Sequence, residues 1–296
     1  MNSIAQNNSV GDANQQSDET LWIDAEFLPL LERAGWTTID AVMAASDGHC
    51  RRALSDRENW RFDLSDGAGG TRRVYLKKHH VRRHPFFCKR KRQPTPAAVE
   101  TRNVERLRDI GIGSMRVIAF GERFHADGLI ESFFLTDELT GFAELQDFIV
   151  ERFGRMPTEI VRGRDRDLDR LIRDVAEVAR RFHRAGYNHR DFYAGHFFVR
   201  ETAAGKFDIR LIDLQRVQQR RRFHRRWVVK DLAQLAWSFP TGDIGCRHKL
   251  AFMRHYLGVE KLRPCDKRLI REVLAKQQRM ERRLGEMRGE GRGIRD

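Results

Sequence analysis

Apolar positions along the chain keep two rhythms, and the elements follow from them. The strongest signal is Asp165–Ala185, where Leu168, Leu171, Ile172, Val175, Val178, Ala179 and Phe182 recur at three- and four-residue spacing. That spacing predicts a long amphipathic helix closed by Gly186. Ala97–Ile110 reads the same way, with Val99, Val104, Leu107 and Ile110 on one face and Glu100 on another. Asn59–Leu64 and Arg72–Lys78 alternate with period two around the turn Asp66–Gly70, which predicts a β-hairpin with Val74 and Leu76 on one face. Strands are expected around Arg116–Phe120 and over Ile130–Thr136. Residues 21–35 place Trp22, Phe27, Leu30 and Leu31 near helical spacing ahead of Gly35, and Ile39–Ala45 suggests a second short helix, so this stretch is expected to dock as a helical leader.

Further along, Asp137–Thr140 reads as a connector, Phe142–Phe153 as a helix and Gly154–Arg164 as a linker. After Gly186 comes a loop bearing His189, Arg190 and Asp191, then a hairpin that delivers Asp213 at its far end. Helices are expected over Asp231–Ser238, Arg247–Leu257 and Asp266–Arg288. The order predicts an α+β protein of two lobes, a small antiparallel β-sheet lobe and a mainly helical large lobe, arranged like a protein kinase. The expected divisions are a disordered tail over 1–20, leader and small lobe over 21–136, the large lobe over 137–290 and a tail over 291–296.

Composition adds bounds. The 296 residues are 40% apolar and 33% charged with mixed sign, which suits a soluble globular protein. No apolar run is long enough to span a bilayer, and the polar, acidic start carries no export signal. Cys50, Cys88, Cys246 and Cys265 lie far apart without CxxC spacing, so they are expected as reduced thiols in a cytoplasmic protein rather than as a zinc site or a disulfide framework.

Charge changes the picture more. The net charge is +14, and it is clustered. No carboxylate lies between Asp66 and Glu100, an interval holding ten Lys or Arg from Arg72 to Arg92. A second run, Arg216–Lys230, holds seven more between Asp213 and Asp231. Runs this pure favour a polyanionic partner: nucleic acid, anionic headgroups, or a phosphorylated or carboxylated sugar. The sequence carries no RRM, zinc-finger or helix-turn-helix signature, so no dedicated nucleic-acid binding is expected.

The residue types available match the tasks of phosphoryl transfer, which needs phosphates placed, charge neutralised and an acceptor hydroxyl oriented. Lys77, in VYLKK, is placed to pair nucleotide phosphates, and Glu100 could hold it by an ion pair. Strand phase favours Lys77 over Lys78, since Lys77 falls opposite Val74 and Leu76. Asp191 is the candidate base or hydroxyl-orienting carboxylate, with Arg190 neutralising nearby carboxylates and locking the loop and His189 packing and bonding backbone. Asp213, expected on one strand face with the apolar Ile209 and Leu211, is the candidate Mg²⁺ ligand. His196, five residues past Asp191, reads equally as a metal ligand or a structural residue, imidazole being a poor ligand for Mg²⁺.

NHRDFYAGHFFV followed by IRLIDLQRVQQRRRFHRRWVVKDL resembles the lipopolysaccharide kinase (Kdo/WaaP) family, as do VYLKKH and ETRNVERLRDIGI. The resemblance covers about Asn59–Leu257 and implies an ATP- and Mg²⁺-dependent transfer to a sugar hydroxyl, Kdo or heptose, of the lipopolysaccharide inner core. It implies that Lys77 is the ATP-binding Lys and Glu100 its partner. Asp191 becomes the catalytic Asp, Asp213 the metal-binding Asp, and His196 the replacement for a kinase Asn. Asp231 reads either as an anchor of the catalytic loop or as a simple helix N-cap. The implied partners are a core glycolipid or related anionic sugar acceptor and, peripherally, the anionic inner face of the inner membrane. Leu214-Gln215 stands where protein kinases have Phe-Gly, and neither a standard Gly-rich loop nor an APE-like segment is present, which suits a compact small-molecule or glycolipid kinase. The competing readings are a kinase for another small-molecule or protein hydroxyl, and a non-catalytic basic pseudokinase.

Overall fold

The alternating segments of the first half pair into one antiparallel sheet. The computed structural model describes residues 3–6, 18–82, 94–154, 162–220, 222, 224–239 and 244–289. The chain divides into two units, 1–106 with 115–140, and 107–114 with 141–296.

The first unit contains β1 (Ser3–Gln6), β2 (Asp18–Asp24), α1 (Leu28–Arg33), α2 (Ile39–Ala44), β3 (His49–Leu54), β4 (Arg57–Ser65), β5 (Thr71–Arg82), most of α3 (Pro96–Asp109), β7 (Val117–Phe124) and β8 (Leu129–Asp137), with β6 (Gly113–Ser114) assigned to the second unit. The strands run in the order β1-β2-β7-β8-β5-β4-β3. One face buries Phe62, Val74, Leu76, Ile118, Phe133 and Leu135 against Leu30, Leu31, Trp36, Ile39 and Val42 of the α1–α2 segment. Trp36 meets Phe62 edge to face at 4.7 Å.

The leader departs from expectation. Residues 18–24 are a strand paired with β7, and β1 pairs with that strand in turn, so parts of the first twenty residues belong to the sheet. The helix begins only at Leu28 because Pro29, with no backbone N–H to donate, is tolerated only in a first turn. Strand β3 was not foreseen. It is exposed at every position and has no apolar alternation to announce it, being an edge strand that carries Arg51 and Arg52.

In the second unit, β9 (Ala143–Glu144), β11 (Phe197–Glu201) and β12 (Phe207–Leu211) join β6 in a sheet of order β6-β12-β11-β9, while β10 (Tyr187–Asn188) pairs with β13 (Gln218–Gln219). The helices are α4 (Leu145–Phe153), α5 (Arg162–Arg184), α6 (His224–Trp237), α7 (Cys246–Leu257) and α8 (Pro264–Gly289). Leu171, Ala176, Ala179 and Phe182 bury α5 completely along one stripe. Helix α5 packs on α7, and α6 packs on α8. Helix α6 starts about two turns before the expected Asp231. Its basic first half, HRRWVVK, contains no breaker, and Val228, Leu232 and Leu235 keep one apolar stripe through it. Asp231 is therefore inside the helix and is not its N-cap. Cys50, Cys246 and Cys265 are free and exposed, and Cys88 lies outside the described residues.

Strand parity in β5 separates the two adjacent lysines. Lys78 shares the core face with Val74 and Leu76 and is only 2% exposed. Its Nζ donates to the carbonyls of Met43, at 2.9 Å, and Ala45, so it neutralises the carboxyl end of α2. Lys78→Ala leaves those carbonyls without their donor and is expected to lower unfolding free energy by about 1–3 kcal/mol, read by denaturant titration.

Candidate functional site

In the first unit, Lys77 lies on the opposite face of β5 and donates from Nζ to Glu100 Oε1 at 2.8 Å. Glu100 is fully buried, and Lys77 keeps 23% of its side chain exposed. The helix that carries Glu100 begins after Thr95, whose hydroxyl accepts from the Ala98 N–H at 3.1 Å as a cap. His79, next along the same face as Lys77, is held uncharged by burial and then by the Lys77 charge, with its pKa pushed down to about 4.

In the second unit, the loop after β10 is held by one face of α6. Asp231 is fully buried; its Oδ2 accepts from the His189 N–H at 2.7 Å and its Oδ1 from the Arg190 N–H at 3.1 Å. Lys230 Nζ donates to the Arg190 carbonyl. One turn on, Gln234 Oε1 accepts from the Phe192 N–H at 3.3 Å, and after another turn Ser238 Oγ accepts from the Ala194 N–H at 3.0 Å. Behind Asp231, His183 Nε2 lies 3.4 Å from Oδ2, and His183 Nδ1 lies 3.0 Å from the Tyr256 hydroxyl. Arg190 takes φ +75°, a left-handed conformation that costs a non-glycine residue about 1–3 kcal/mol and that these backbone bonds maintain.

The loop in turn grips the segment after β12. His189 Nε2 donates to the Ile212 carbonyl at 3.0 Å, and the Ile212 N–H donates to the His196 carbonyl at 3.0 Å. The rings of His189 and His196 stack at 5.6 Å. His196 Nδ1 is 2.6 Å from the Asp191 carbonyl, which can only accept, so Nδ1 carries the proton. In a neutral ring, Nε2 then presents a lone pair 3.8 Å from Asp213 Oδ2. Two acceptors facing each other at that distance suit a cation between them. Asp213 is not on the strand face with Ile209 and Leu211; β12 ends at Leu211, and Asp213 takes φ +55° ahead of a 3₁₀ turn over Leu214–Arg216. That turn brings Arg216 back to Asp191, its Nη1 within 2.9 and 2.8 Å of the two carboxylate oxygens.

The chain matches known proteins over most of its length. The sequence model of the lipopolysaccharide kinase (Kdo/WaaP) family covers residues 42–256. The chain belongs to this family. It is 31% identical over 246 residues to the lipopolysaccharide core heptose(I) kinase WaaP of Escherichia coli K12, covering 80% of this chain and 89% of that protein. It is 33% identical over 181 residues to the enzyme of the same description from Pseudomonas aeruginosa PAO1, covering 60% and 62%. A solved structure described as WaaP in complex with acyl carrier protein superposes with TM-score 0.65 and 29% identity, covering 89% of this chain and 98% of that one. The α+β, kinase-like fold is shared.

Within this Kdo/WaaP family member, Lys77 meets Glu100 as the sequence suggested, and the structure brings His196 between the Asp191 carbonyl and Asp213. The sequence reading did not foresee Arg216, although the residue stands in the quoted IDLQR stretch; its signal was position, three residues beyond Asp213 at the end of one turn. Arg190 neutralises no carboxylate among the described residues. Its guanidinium lies over the Trp227 ring at 5.6 Å, and Arg216 makes the ion pair with Asp191 instead. Among the described residues no group of three or more His, Cys, Asp or Glu could hold a metal ion, so an ion at Asp213 would need oxygens from the nucleotide or water.

Burial, reinforced by the neighbouring His196, pushes the pKa of His189 down to about 4. The unfolded chain takes up a proton near pH 6.5 while the folded chain does not. Stability is therefore complete above about pH 6.5 and falls as pH drops toward 4. His189→Gln is expected to flatten the slope in that window by about 1.4 kcal/mol per pH unit, measured by urea unfolding across the range.

Proposed function

We propose that this chain transfers the γ-phosphoryl group of ATP to a heptose hydroxyl of the lipopolysaccharide inner core. The observation that carries the reading is the cluster of Asp191, His196 and Asp213, held by Asp231 in a member of this kinase family. The names of the curated relatives favour heptose over Kdo as the acceptor sugar.

Lys77, restrained by Glu100, binds nucleotide phosphates with few rotamers left to lose. Asp191, oriented by Arg216, accepts the acceptor hydroxyl proton as its oxygen bonds to phosphorus and the bond to the ADP oxygen breaks. Asp213, with His196 beside it, would hold Mg²⁺. When bound, the ion spreads the developing charge of the transferring phosphoryl group. His189 and Arg190 act through the loop: His189 ties it to Ile212, and Arg190 supplies the backbone N–H that Asp231 holds.

The acceptor's lipid anchor would bring the chain to an anionic membrane surface on the cytoplasmic side. The basic run through Arg82–Arg92, whose residues 83–92 lie outside the described residues, is the sequence feature that supports this. No described helix is long and apolar enough to cross a membrane. An acyl carrier protein, the companion of the solved relative, is a further proposed partner.

The deciding assay supplies ATP, Mg²⁺ and a heptose-bearing core acceptor. Asp191→Asn is expected to slow transfer by about 10²–10⁴-fold with folding intact. Lys77→Met is expected to raise the KM for ATP. Transfer at the wild-type rate by the Asp191 variant would remove the assignment, and ATP-dependent transfer to other hydroxyls only would redirect the acceptor class. Reversing the charges of Lys89, Arg90, Lys91 and Arg92 is expected to lower retention on phosphatidylglycerol vesicles; unchanged retention would remove the membrane contact.

A further inference from the structure

A groove of about 1080 Å³ lies along α6 and α8 in the second unit, and its charge is far from balanced. Eight Arg or Lys side chains line it against a single carboxylate, Glu272. That carboxylate is already shared: Arg225 meets it at 3.0 and 3.1 Å, and Arg268 at 3.3 Å. Lys276, Arg279 and Arg283 line the same groove from one face of α8, and among the described residues none of them makes an ion pair. Like charges three and four residues apart on a helix repel, at about 0.2–0.5 kcal/mol per pair. A merely solvated face would intersperse signs; here the cations converge on one concavity, where an anionic ligand would relieve the repulsion.

The groove also begins beside the catalytic loop. Arg190, one residue from Asp191, contributes to its wall, and so does Lys230, whose ammonium donates to the Arg190 carbonyl. Trp227 lines the same wall with the Arg190, Arg220, Arg226 and Lys230 cations 4.8–6.0 Å from its ring, an arrangement that holds them by cation–π attraction. Guanidinium forks match phosphate oxygens in pairs, and they suit a dianionic phosphate monoester better than a single carboxylate.

We infer that the α6–α8 groove is an acceptor subsite that binds phosphate monoester groups of the acceptor saccharide and so presents its hydroxyl to Asp191. The inference rests on the kinase reading of the Asp191 cluster and adds where and by what chemistry the acceptor is held.

The test measures binding and turnover separately on the full chain. The probe is a fluorescent, detergent-dispersed, heptose-bearing core glycolipid, used intact and after phosphatase treatment. The variant is Lys276→Gln/Arg279→Gln, with Lys276→Arg/Arg279→Lys as the charge-conserving control and thermal unfolding to verify the fold. The Gln variant is expected to bind the intact probe at least tenfold more weakly, to match wild type on the dephosphorylated probe and to keep its affinity for ATP. The control is expected to bind the intact probe like wild type. Unchanged affinity for the intact probe, or equal loss for both probes, overturns the inference. Weakened binding to phosphatidylglycerol vesicles with intact probe binding retained also overturns it, making the groove a membrane contact. If wild type binds the intact probe through these residues yet transfers no phosphate, the kinase reading fails and the groove stands. If wild type transfers phosphate and the Gln variant binds and reacts like it, the groove fails and the kinase reading stands.

Discussion

The buried carboxylate of Asp231 is the constraint on which the site depends. An ionised carboxylate taken out of water costs several kcal/mol unless hydrogen bonds replace the water it loses. Asp231 recovers that cost from two backbone N–H groups of one loop, His189 and Arg190. Hydrogen bonds to a charged group are worth about 1.5–3 kcal/mol each, enough to hold Arg190 at its left-handed φ. The energy that buries the acid is thus the energy that shapes the loop. Because Asp231 lies within α6 and not at its end, Lys230 and Gln234 on the same helix, and Ser238 just past its last residue, reach further backbone groups of that loop. A rigid helix thereby sets the backbone path on either side of Asp191.

Order passes from that loop to the segment after β12 through two histidines with different work. His189 is buried, with its pKa depressed, and donates from Nε2 to Ile212. His196 donates from Nδ1 to the carbonyl of Asp191 and turns Nε2 toward Asp213. The choice of proton-bearing nitrogen is made by a carbonyl that can only accept. That hydrogen bond fixes which way the His196 ring faces.

The parts legible in the sequence are those with a single strong period. Helix α5 follows from its apolar stripe, the β4–β5 hairpin from alternation, and the Asp191–Asp213 neighbourhood from an unusual motif. The parts that escaped have weak or overwritten patterns. Strand β3 has no buried face to alternate with. Strand β2 and α1 together imitate helical spacing, and only Pro29 marks where one stops and the other starts. The first half of α6 is so basic that its apolar stripe is diluted, which shifted Asp231 from helix interior to helix start in the reading. Arg216 reaches Asp191 through a 3₁₀ turn that begins at a left-handed Asp213, and no periodicity of neighbouring residues encodes such a turn.

The lysines and arginines show why composition could not make these distinctions and period could. Lys77 and Lys78 are adjacent and chemically identical, yet a strand sends them to opposite faces. One neutralises the end of α2 inside the core, and the other keeps part of its surface exposed beside a buried glutamate. Helix α6 sorts its basic residues the same way, at helical spacing. Lys230 sits beside Asp231 and donates inward to the loop carbonyl, while Arg225, one turn and a half earlier, reaches out to Glu272. A charge count treats these side chains as one surplus. Backbone geometry separates them, and the groove along α6 and α8 mixes both kinds: Arg225 and Arg268 already meet Glu272, while Lys276, Arg279 and Arg283 make no ion pair among the described residues.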